Sequence, residues 1–311
     1  MAKRTDTDPR NKLNDLSNHD WIIATKSVWY DVTKPRFTDA DREAFTRWLI
    51  ERKGQDDAEI FLEQLWPSVV ISNPPKRDEL KILHPATFSE KDVGRLITLF
   101  SKEGETILDP FLGSGSTLVS CQEQKRVGIG IDIVPLWVDL AKKRVGDDPA
   151  QTIICGDSRE ALGTMSPNSI DFIITSPPYW NILQYQDGPK IQAQRIAKGL
   201  PTQYSEMPED LGNTTSYPDF LTQLYNIFQE CTRVLSPKKY MCIIVRDFRI
   251  GQWFIPFHSD ITTIAIRSGL TLQGTTVLIQ DNRGIFPYGI PYAFVSNIVH
   301  GYVLIFRKMV K

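Results

Sequence analysis

Residues 175–180, Thr-Ser-Pro-Pro-Tyr-Trp, bring a hydroxyl group, backbone carbonyls and two aromatic rings into one short turn. The preceding run, 169–174, is mostly apolar and rich in β-branched residues, which predicts a buried parallel strand. Pro177 has no backbone N–H, and each proline disfavours the α conformation in the residue before it. Carbonyls without a local N–H partner can accept hydrogen bonds from an NH₂ group on a flat ring, while Tyr179 stacks on that ring. The alternative, a proline-rich surface turn, is disfavoured by a second motif upstream. The predicted catalytic residues are Ser176, Pro177, Pro178 and Tyr179.

That second motif, residues 105–118, predicts a strand, a glycine-rich turn and the start of a helix. Gly113 and Gly115 permit positive φ and a close approach of the backbone to a ligand. The N–H groups at the start of the helix can bind a carboxylate. A nucleoside triphosphate is disfavoured because no Walker lysine follows the glycines, and the glycine spacing departs from the dinucleotide fingerprint.

Three successive predicted strands end in an acid, at Asp109, Asp132 and Asp157. Each acid alone is equally typical of a helix cap. Three acids in register around a glycine turn favour a ligand cleft, in which Asp132 suits two ribose hydroxyls and Asp157 can accept from an adenine amine.

The residues 109–117 and 175–180 resemble the cofactor and catalytic motifs of S-adenosylmethionine-dependent amino-group DNA methyltransferases. The segment 84–88 is similar to the one that precedes the glycine motif in that family and helps to wall the cofactor. The likeness covers roughly residues 80–310, with the cofactor half first. It implies an α/β fold with a doubly wound, mostly parallel seven-stranded sheet of the Rossmann-like kind. It also implies S-adenosylmethionine as methyl donor and S-adenosylhomocysteine as product.

The resemblance further implies a set of cofactor contacts. Asp109 would lie near the ammonium of the methionine part, Asp132 would bind the ribose, and Ile133 would pack on the adenine. Asp157 and the Ser158 N–H would read the adenine edge. The full set is His84, Thr87, Phe88, Asp109, Phe111, Gly113, Ser114, Gly115, Ser116, Thr117, Asp132, Ile133, Asp157 and Ser158.

The chemistry implied is methylation of an exocyclic amine on a base that has left the duplex. Hydrogen bonds to Ser176 and to the Pro177 carbonyl would free the nitrogen lone pair. We expect N4 of cytosine, because Ser176 stands where adenine-modifying relatives usually carry Asp or Asn. N6 of adenine is the nearest alternative. RNA, a protein glutamine amide, and an idle nucleic-acid-binding module stay open as further alternatives. Cytosine C5 is disfavoured, since none of the four cysteines follows a proline.

Composition sets broad limits on the function. Hydrophobic residues make up 41% and charged residues 23% of the 311-residue chain, as in ordinary globular proteins. No apolar run approaches the length of a membrane span and the amino terminus has no signal core, so we expect a cytoplasmic protein. The scattered cysteines fit a reducing compartment and argue against a metal site. A net charge of −1 means that a DNA-binding surface must be a local patch.

We expect residues 1–79 to form an amino-terminal arm with a small helical appendage, and residues 80–311 to form the catalytic domain. Within the appendage, Trp21, Trp29, Trp48 and Trp66 are more typical of a small core than of a nucleic-acid stacking surface. The polar stretch 184–216 is equally typical of a substrate-contacting loop and of a solvated insertion. Strands at 271–280 and 302–306 are expected to pair antiparallel. The expected partners are double-stranded DNA and a cognate restriction endonuclease, with the chain a monomer or homodimer.

Overall fold

The computed structural model describes residues 90–182, 207–280 and 300–310, together with 15, 28–31, 47, 51, 205 and 298. These residues fall into two compact units. The larger unit holds the described residues of Met1–Ser27, Pro75–Thr276 and Gly301–Lys311, and the smaller one those of Val28–Pro74 and Val277–His300. The predicted helical appendage lies almost wholly outside the described residues, so the domain boundary at residue 79 stays a prediction.

Strands and helices alternate along most of the described chain. In chain order they are β1 (Val28–Asp31), α1 (Glu90–Phe100), β2 (Thr106–Asp109), α2 (Ser116–Glu123), β3 (Val127–Asp132), α3 (Pro135–Val145), β4 (Gln151–Cys155), α4 (Ser158–Thr164), β5 (Ile170–Thr175), a 3₁₀ turn (Leu211–Asn213), α5 (Tyr217–Val234), β6 (Leu235–Val245), β7 (Phe248–Ile250), β8 (Trp253–Ile255), α6 (Phe257–Arg267), β9 (Thr271–Gln280) and β10 (His300–Arg307).

The sheet of the larger unit has the strand order β9-β10-β6-β5-β2-β3-β4. β2 pairs in parallel with β3 and β5, β3 with β4, and β5 with β6, whereas β10 runs antiparallel to β6. This confirms the expected α/β class with a seven-stranded, mostly parallel sheet. The chain order reverses between β2 and β5, and in open α/β sheets ligands bind at the carboxyl edge beside such a reversal.

Helices cover both faces of this sheet. Since successive residues of a strand point to opposite faces, neighbouring residues of β5 pack against different helices. Phe172 and Ile173 of β5 are both fully buried. The Phe172 ring stacks on Phe100 of α1 at 5.5 Å. Ile173 instead joins the core cluster that includes Phe228 of α5 and Ile261 of α6. The carboxyl end of β5 is therefore fixed from both sides.

Several elements were not expected from the sequence. In the smaller unit β1 pairs in parallel with the end of β9, with Val28 opposite Val277. The short hairpin β7–β8 and the helix α6 follow β6, which begins at Leu235, five residues before the predicted strand. β9 and β10 are neighbours, as expected. Among the described residues, no helix is both long enough and apolar enough to span a membrane.

Candidate active site

An open cleft lies at the carboxyl edge of the sheet, with an empty volume of about 930 Å³ including the solvent at its mouth. Most of the residues predicted from the sequence line it. They are Phe111, Gly113, Ser114, Ser116, Thr117, Asp132, Ile133, Asp157, Ser158, Ser176, Pro177, Pro178 and Tyr179. The structure thus brings the glycine turn, two acidic strand ends and the Pro-Pro turn to one cleft.

The close packing around the glycine turn leaves no room for a side chain at Gly115 or at Gly130. Gly115, with φ +81°, precedes α2, and a Cβ atom there would lie 2.9 Å from the Cβ of Ala141. Gly130 of β3 lets the turn approach the sheet, because a Cβ atom there would lie 2.6 Å from the methyl groups of Leu112 in the turn. No side-chain hydrogen bond caps the amino terminus of α2. Its first N–H groups are therefore suited to an anionic ligand group.

Asp132 holds the glycine turn from the end of β3. Its carboxylate accepts hydrogen bonds from the N–H of Gly113 at 2.7 Å and from the N–H of Val134 at 2.9 Å. Burial raises the pKa of Asp132 from 3.8 to about 6 in spite of these bonds, and the charges of Asp210 and Asp109 act in the same direction. A carboxylate that is desolvated and still borders a cleft is a good acceptor for ligand hydroxyls.

Asp157 lies at the start of a helix and also at the cleft. It caps α4 by accepting from the N–H of Arg159 at 2.8 Å, and it also lines the cleft. Burial alone would raise its pKa, but hydrogen bonds and the charge of Arg159 outweigh burial and lower it. The guanidinium of Arg159 forms an ion pair with the same carboxylate and donates to Gln223 at 2.6 Å.

Asp109 does not line the cleft, and neither does Gly115. The Asp109 side chain is only 1% exposed. It accepts from the hydroxyl of Thr117 at 2.6 Å, from the hydroxyl of Thr175 at 2.7 Å and from the N–H of Phe111 at 3.0 Å. Desolvation raises its pKa even though these hydrogen bonds act to lower it. The carboxylate expected near a cofactor ammonium instead joins the start of α2 to the end of β5.

The Pro-Pro turn is fixed by aromatic packing. The Tyr179 ring lies 5.5 Å from the ring of Phe257 and 6.3 Å from that of Phe248. Trp180 adopts a left-handed conformation with φ +50°. Such a conformation costs roughly 1–3 kcal/mol in a residue other than glycine and persists only where the surroundings impose it. Here the indole N–H donates to the Thr214 carbonyl at 2.7 Å.

A family model described as DNA methylase, for N6 and N4 methyltransferases, matches residues 12–143 and 170–308 of this chain. The chain belongs to the N6/N4 DNA methylase family. The expected S-adenosylmethionine dependence is confirmed with the family, whereas the choice between N4 and N6 is not resolved.

Curated relatives match over part of their length. The chain is 40% identical over 65 residues to the type II methyltransferase M.HpaI of Haemophilus parainfluenzae, covering 21% of each chain. It is 32% identical over 101 residues to the type II methyltransferase M.MjaI of Methanocaldococcus jannaschii, covering 30% of this chain and 32% of that enzyme. These matches thus span about a fifth to a third of the relatives' own length.

Solved structures are similar at lower identity. One is a protein of Thermus thermophilus that is described as a DNA modification methylase, in complex with S-adenosyl-L-methionine. It has 24% identity and a TM-score of 0.35, over 50% of this chain and 54% of that chain. Another is an S-adenosylmethionine-dependent methyltransferase of Methanosarcina mazei, with 15% identity and a TM-score of 0.43, over 70% of this chain and 98% of that chain.

An ion pair in the methylase supports the glycine turn from behind. Arg144, in the last turn of α3, donates both to Glu90 at the start of α1 and to the Ser114 carbonyl within the turn. The two side chains are 7% and 18% exposed. The Ser116 hydroxyl donates to the same Glu90 carboxylate at 3.3 Å. The turn is therefore held by residues of α1 and α3, which are 54 positions apart in sequence.

Other lining residues of the methylase were not singled out as site residues. They are Pro110, Leu112, Val134, Trp137, Glu209, Asp210, Leu211 and Ile227. Two of them, Glu209 and Asp210, belong to the polar stretch in which a substrate loop was one of two interpretations. Trp137 lies in the first turn of α3, which begins at Pro135 just after the acid of β3. His84, Thr87 and Phe88 lie outside the described residues.

Proposed function

We propose that the chain is a DNA methyltransferase that moves a methyl group from S-adenosylmethionine to the N4 amine of a cytosine extruded from the duplex. One observation carries the proposal. The turn 176–179 borders the same cleft as Asp132 and Asp157, and the buried Asp109 carboxylate binds Thr117 on one side and Thr175 on the other. A site for a nucleoside-containing donor and a site for an amine are therefore held in fixed register.

The residues of the cofactor half fit the donor. S-adenosylmethionine supplies an electrophilic methyl group on its sulfonium. Asp132 is placed to accept from the ribose hydroxyls, and Ile133 beside it provides an apolar surface for the adenine. The uncapped start of α2 suits the methionine carboxylate. Ser158 and Asp157 edge the adenine position, and the contacts of His84, Thr87 and Phe88 remain part of this proposal.

The Pro-Pro turn supplies the groups that act on the amine. An exocyclic amine conjugated with its ring is a poor nucleophile. Hydrogen bonds from its protons to Ser176 and to the Pro177 carbonyl make the nitrogen lone pair available, and Tyr179 stacks on the base. The acceleration then comes from positioning and from fixed dipoles rather than from a general base.

The preference for cytosine rests on Ser176, which borders the cleft as a short and neutral acceptor. A serine hydroxyl reaches less far than an aspartate or asparagine side chain, so the target nitrogen must come closer to the turn. Thr175 is fixed to Asp109 at 2.7 Å, so the backbone of the turn cannot easily move towards the base. A single-ring base can enter further than a purine.

The test is transfer of a labelled methyl group from S-adenosylmethionine to unmethylated plasmid DNA. The DNA is digested to nucleosides, which are identified by mass spectrometry, with the Tyr179→Ala variant as the blank. We expect labelled N4-methyldeoxycytidine. N6-methyldeoxyadenosine as the labelled product would overturn the base assignment alone. Transfer to RNA or to protein, without transfer to DNA, would overturn the substrate class.

Finer points belong to the same proposal. We infer a double-stranded substrate, a chain that acts as a monomer or homodimer in the cytoplasm, and a role beside a cognate restriction endonuclease. The last point is supported by M.HpaI and M.MjaI, which the chain resembles over part of its length and which are type II methyltransferases.

A further inference from the structure

The hairpin β7–β8 stands beside the Pro-Pro turn. β5 and β6 are parallel, with Thr175 opposite Ile243, so both strands end at the same edge of the sheet. The hairpin begins at Phe248, three residues after β6 ends at Val245. Its two strands pair antiparallel from Phe248 opposite Ile255 to Ile250 opposite Trp253. The sheet therefore projects a short arm from the edge that carries the chemistry.

The base of the hairpin is anchored in the core of the site. Phe248 is only 2% exposed. Its ring lies 6.3 Å from the ring of Tyr179 and 5.5 Å from that of Phe257, in edge-on arrangements. A rigid aromatic contact thus connects the hairpin to the residue that is proposed to stack on the target base.

The tip of the hairpin has the opposite character. Trp253 is 68% exposed and Phe254 is 43% exposed. Large aromatic side chains that project into solvent next to a reaction site mark a surface for binding. Trp253 pairs with Ile250, which is two residues further along β7 than the buried Phe248. Trp253 therefore lies at the end of the hairpin that is away from its anchored base.

The charge of the hairpin fits a nucleic acid. The Arg249 guanidinium lies over the Phe254 ring, 5.2 Å from its centroid. The acid that precedes the hairpin, Asp247, is 4% exposed and accepts from the N–H of His258 at 3.1 Å. The acid is therefore withdrawn from the surface, and the arm carries exposed aromatic rings together with a half-buried cation. Aromatic rings and arginines are the groups that stack on bases and attract the phosphate backbone.

We propose that the β7–β8 hairpin is a DNA-contacting arm, and that Trp253 stacks against the bases beside the one that enters the cleft. This inference rests on the proposed function. Extruding a base unstacks its neighbours at a cost of a few kcal/mol, and a ring placed in the gap recovers stacking. The arm would thus stabilise the opened duplex, while Tyr179 receives the extruded base.

The experiment compares Trp253→Ala, Trp253→Phe and Ile266→Ala with the wild-type chain. Ile266 is 48% exposed on α6 and serves as the matched control for loss of a surface apolar group. Binding to a duplex that contains the mapped target site is followed by fluorescence anisotropy in the presence of S-adenosylhomocysteine. Extrusion is followed by the fluorescence of 2-aminopurine placed next to the target base. Cofactor affinity and oligomeric state are measured on the same samples.

We expect Trp253→Ala to weaken DNA binding about 5- to 100-fold, the loss of one stacking contact, and to diminish the 2-aminopurine signal. Trp253→Phe should keep most of the DNA affinity and of the 2-aminopurine signal, and Ile266→Ala should match the wild type. DNA affinity of Trp253→Ala within two-fold of the wild type would overturn the inference. A shift of that variant from dimer to monomer at unchanged DNA affinity would show a protein interface instead. A wild-type chain that transfers no methyl group to DNA would refute the proposed function and leave no target site to map. The binding of the same variants to a duplex of arbitrary sequence would then still decide whether the hairpin contacts DNA.

Discussion

Replacing Asp132 by asparagine separates the proposed ligand role of this residue from its part in stability. The carboxylate accepts from the N–H groups of Gly113 and Val134, and burial raises its pKa to about 6. Losing a charge-assisted contact costs about 1.5–3 kcal/mol, so we expect cofactor affinity to fall about 10- to 100-fold at pH 7.5. The variant keeps the shape of the side chain, so packing should be unaffected.

The free energy of unfolding should change much less than the binding affinity. Removing a desolvated charge whose pKa is about two units above its usual 3.8 gains up to about 3 kcal/mol at neutral pH. Against this, the new amide turns an NH₂ group towards one of the two backbone N–H donors, which costs about 1–3 kcal/mol. The two contributions are opposite in sign and similar in size. We therefore expect the unfolding free energy to shift by less than about 2 kcal/mol.

The pH dependence gives the sharper test. Because burial raises the pKa of Asp132, the stability contributed by its protonated form is full below pH 3.8 and is lost as the pH rises through about 6. Cofactor binding should follow the opposite course, because the ionised form is the better acceptor for ribose hydroxyls. Between pH 7.5 and pH 5 we expect wild-type affinity to fall about 5- to 10-fold, the difference between a charged and a neutral hydrogen bond.

The assay is titration calorimetry with S-adenosylhomocysteine at pH 5, 6 and 7.5, combined with thermal unfolding at the same pH values. Asp139→Asn is the matched control, since this acid is exposed on α3 and its removal changes the net charge equally. The Asp132→Asn variant should show a flat pH profile, whereas Asp139→Asn should follow the wild type. A wild-type affinity that does not change between pH 5 and 7.5, or an Asp132→Asn variant as tight as the wild type, would refute the reasoning.

Two further substitutions test the Pro-Pro turn and the support of the glycine turn. Tyr179→Ala should abolish or cripple turnover and leave cofactor affinity within about two-fold of the wild type. Tyr179→Phe should keep most of the turnover, because the stacking ring is retained. Loss of cofactor binding together with turnover in Tyr179→Ala would show that this residue has a different role. Arg144→Gln removes the guanidinium that pairs with the Glu90 carboxylate and donates to the Ser114 carbonyl. We therefore expect a loss of about 3–5 kcal/mol in stability and a raised KM for S-adenosylmethionine with an unchanged KM for DNA. Adding Glu90→Gln to Arg144→Gln should restore much of the stability, and a double variant as unstable as the single one would argue against the pair.

Much of the site could be predicted from the sequence because its key residues lie at strand ends. A buried apolar run followed by an acid or by two prolines is a local pattern, and parallel strands must end at one edge. Asp132, Asp157 and Ser176 line one cleft for this reason, and their roles in binding and catalysis stay predictions. Asp157 caps α4 and also lines the cleft, so these two interpretations do not exclude each other.

The contacts that fix the site could not be predicted because they join residues far apart in sequence. Asp109 and Thr175 are 66 residues apart, and Glu90 and Arg144 are 54 apart. No local pattern distinguishes a carboxylate that reaches the cleft from one that binds two threonines behind it. For this reason the sequence placed Asp109 next to the cofactor, whereas in the structure its carboxylate is buried behind the cleft and accepts from Thr117 and Thr175. The hairpin β7–β8 could not be predicted for a different reason. Its strands are only three residues long, and its aromatic residues are typical of a core.

The unfavourable features of this fold are concentrated around the cleft. Asp132 keeps a charge in a desolvated position, and Trp180 keeps a left-handed backbone at φ +50°. Each costs of the order of 1–3 kcal/mol, and each lies beside groups proposed to bind donor or base. Their surroundings impose these states, since Gly113 and Val134 direct their N–H groups at the carboxylate and the Thr214 carbonyl holds the indole. A sequence selected for stability alone would have no reason to keep a desolvated charge and a strained turn at one sheet edge. Their coincidence with the Pro-Pro turn is therefore a physical argument, independent of the family match, that this edge is where the methylase acts.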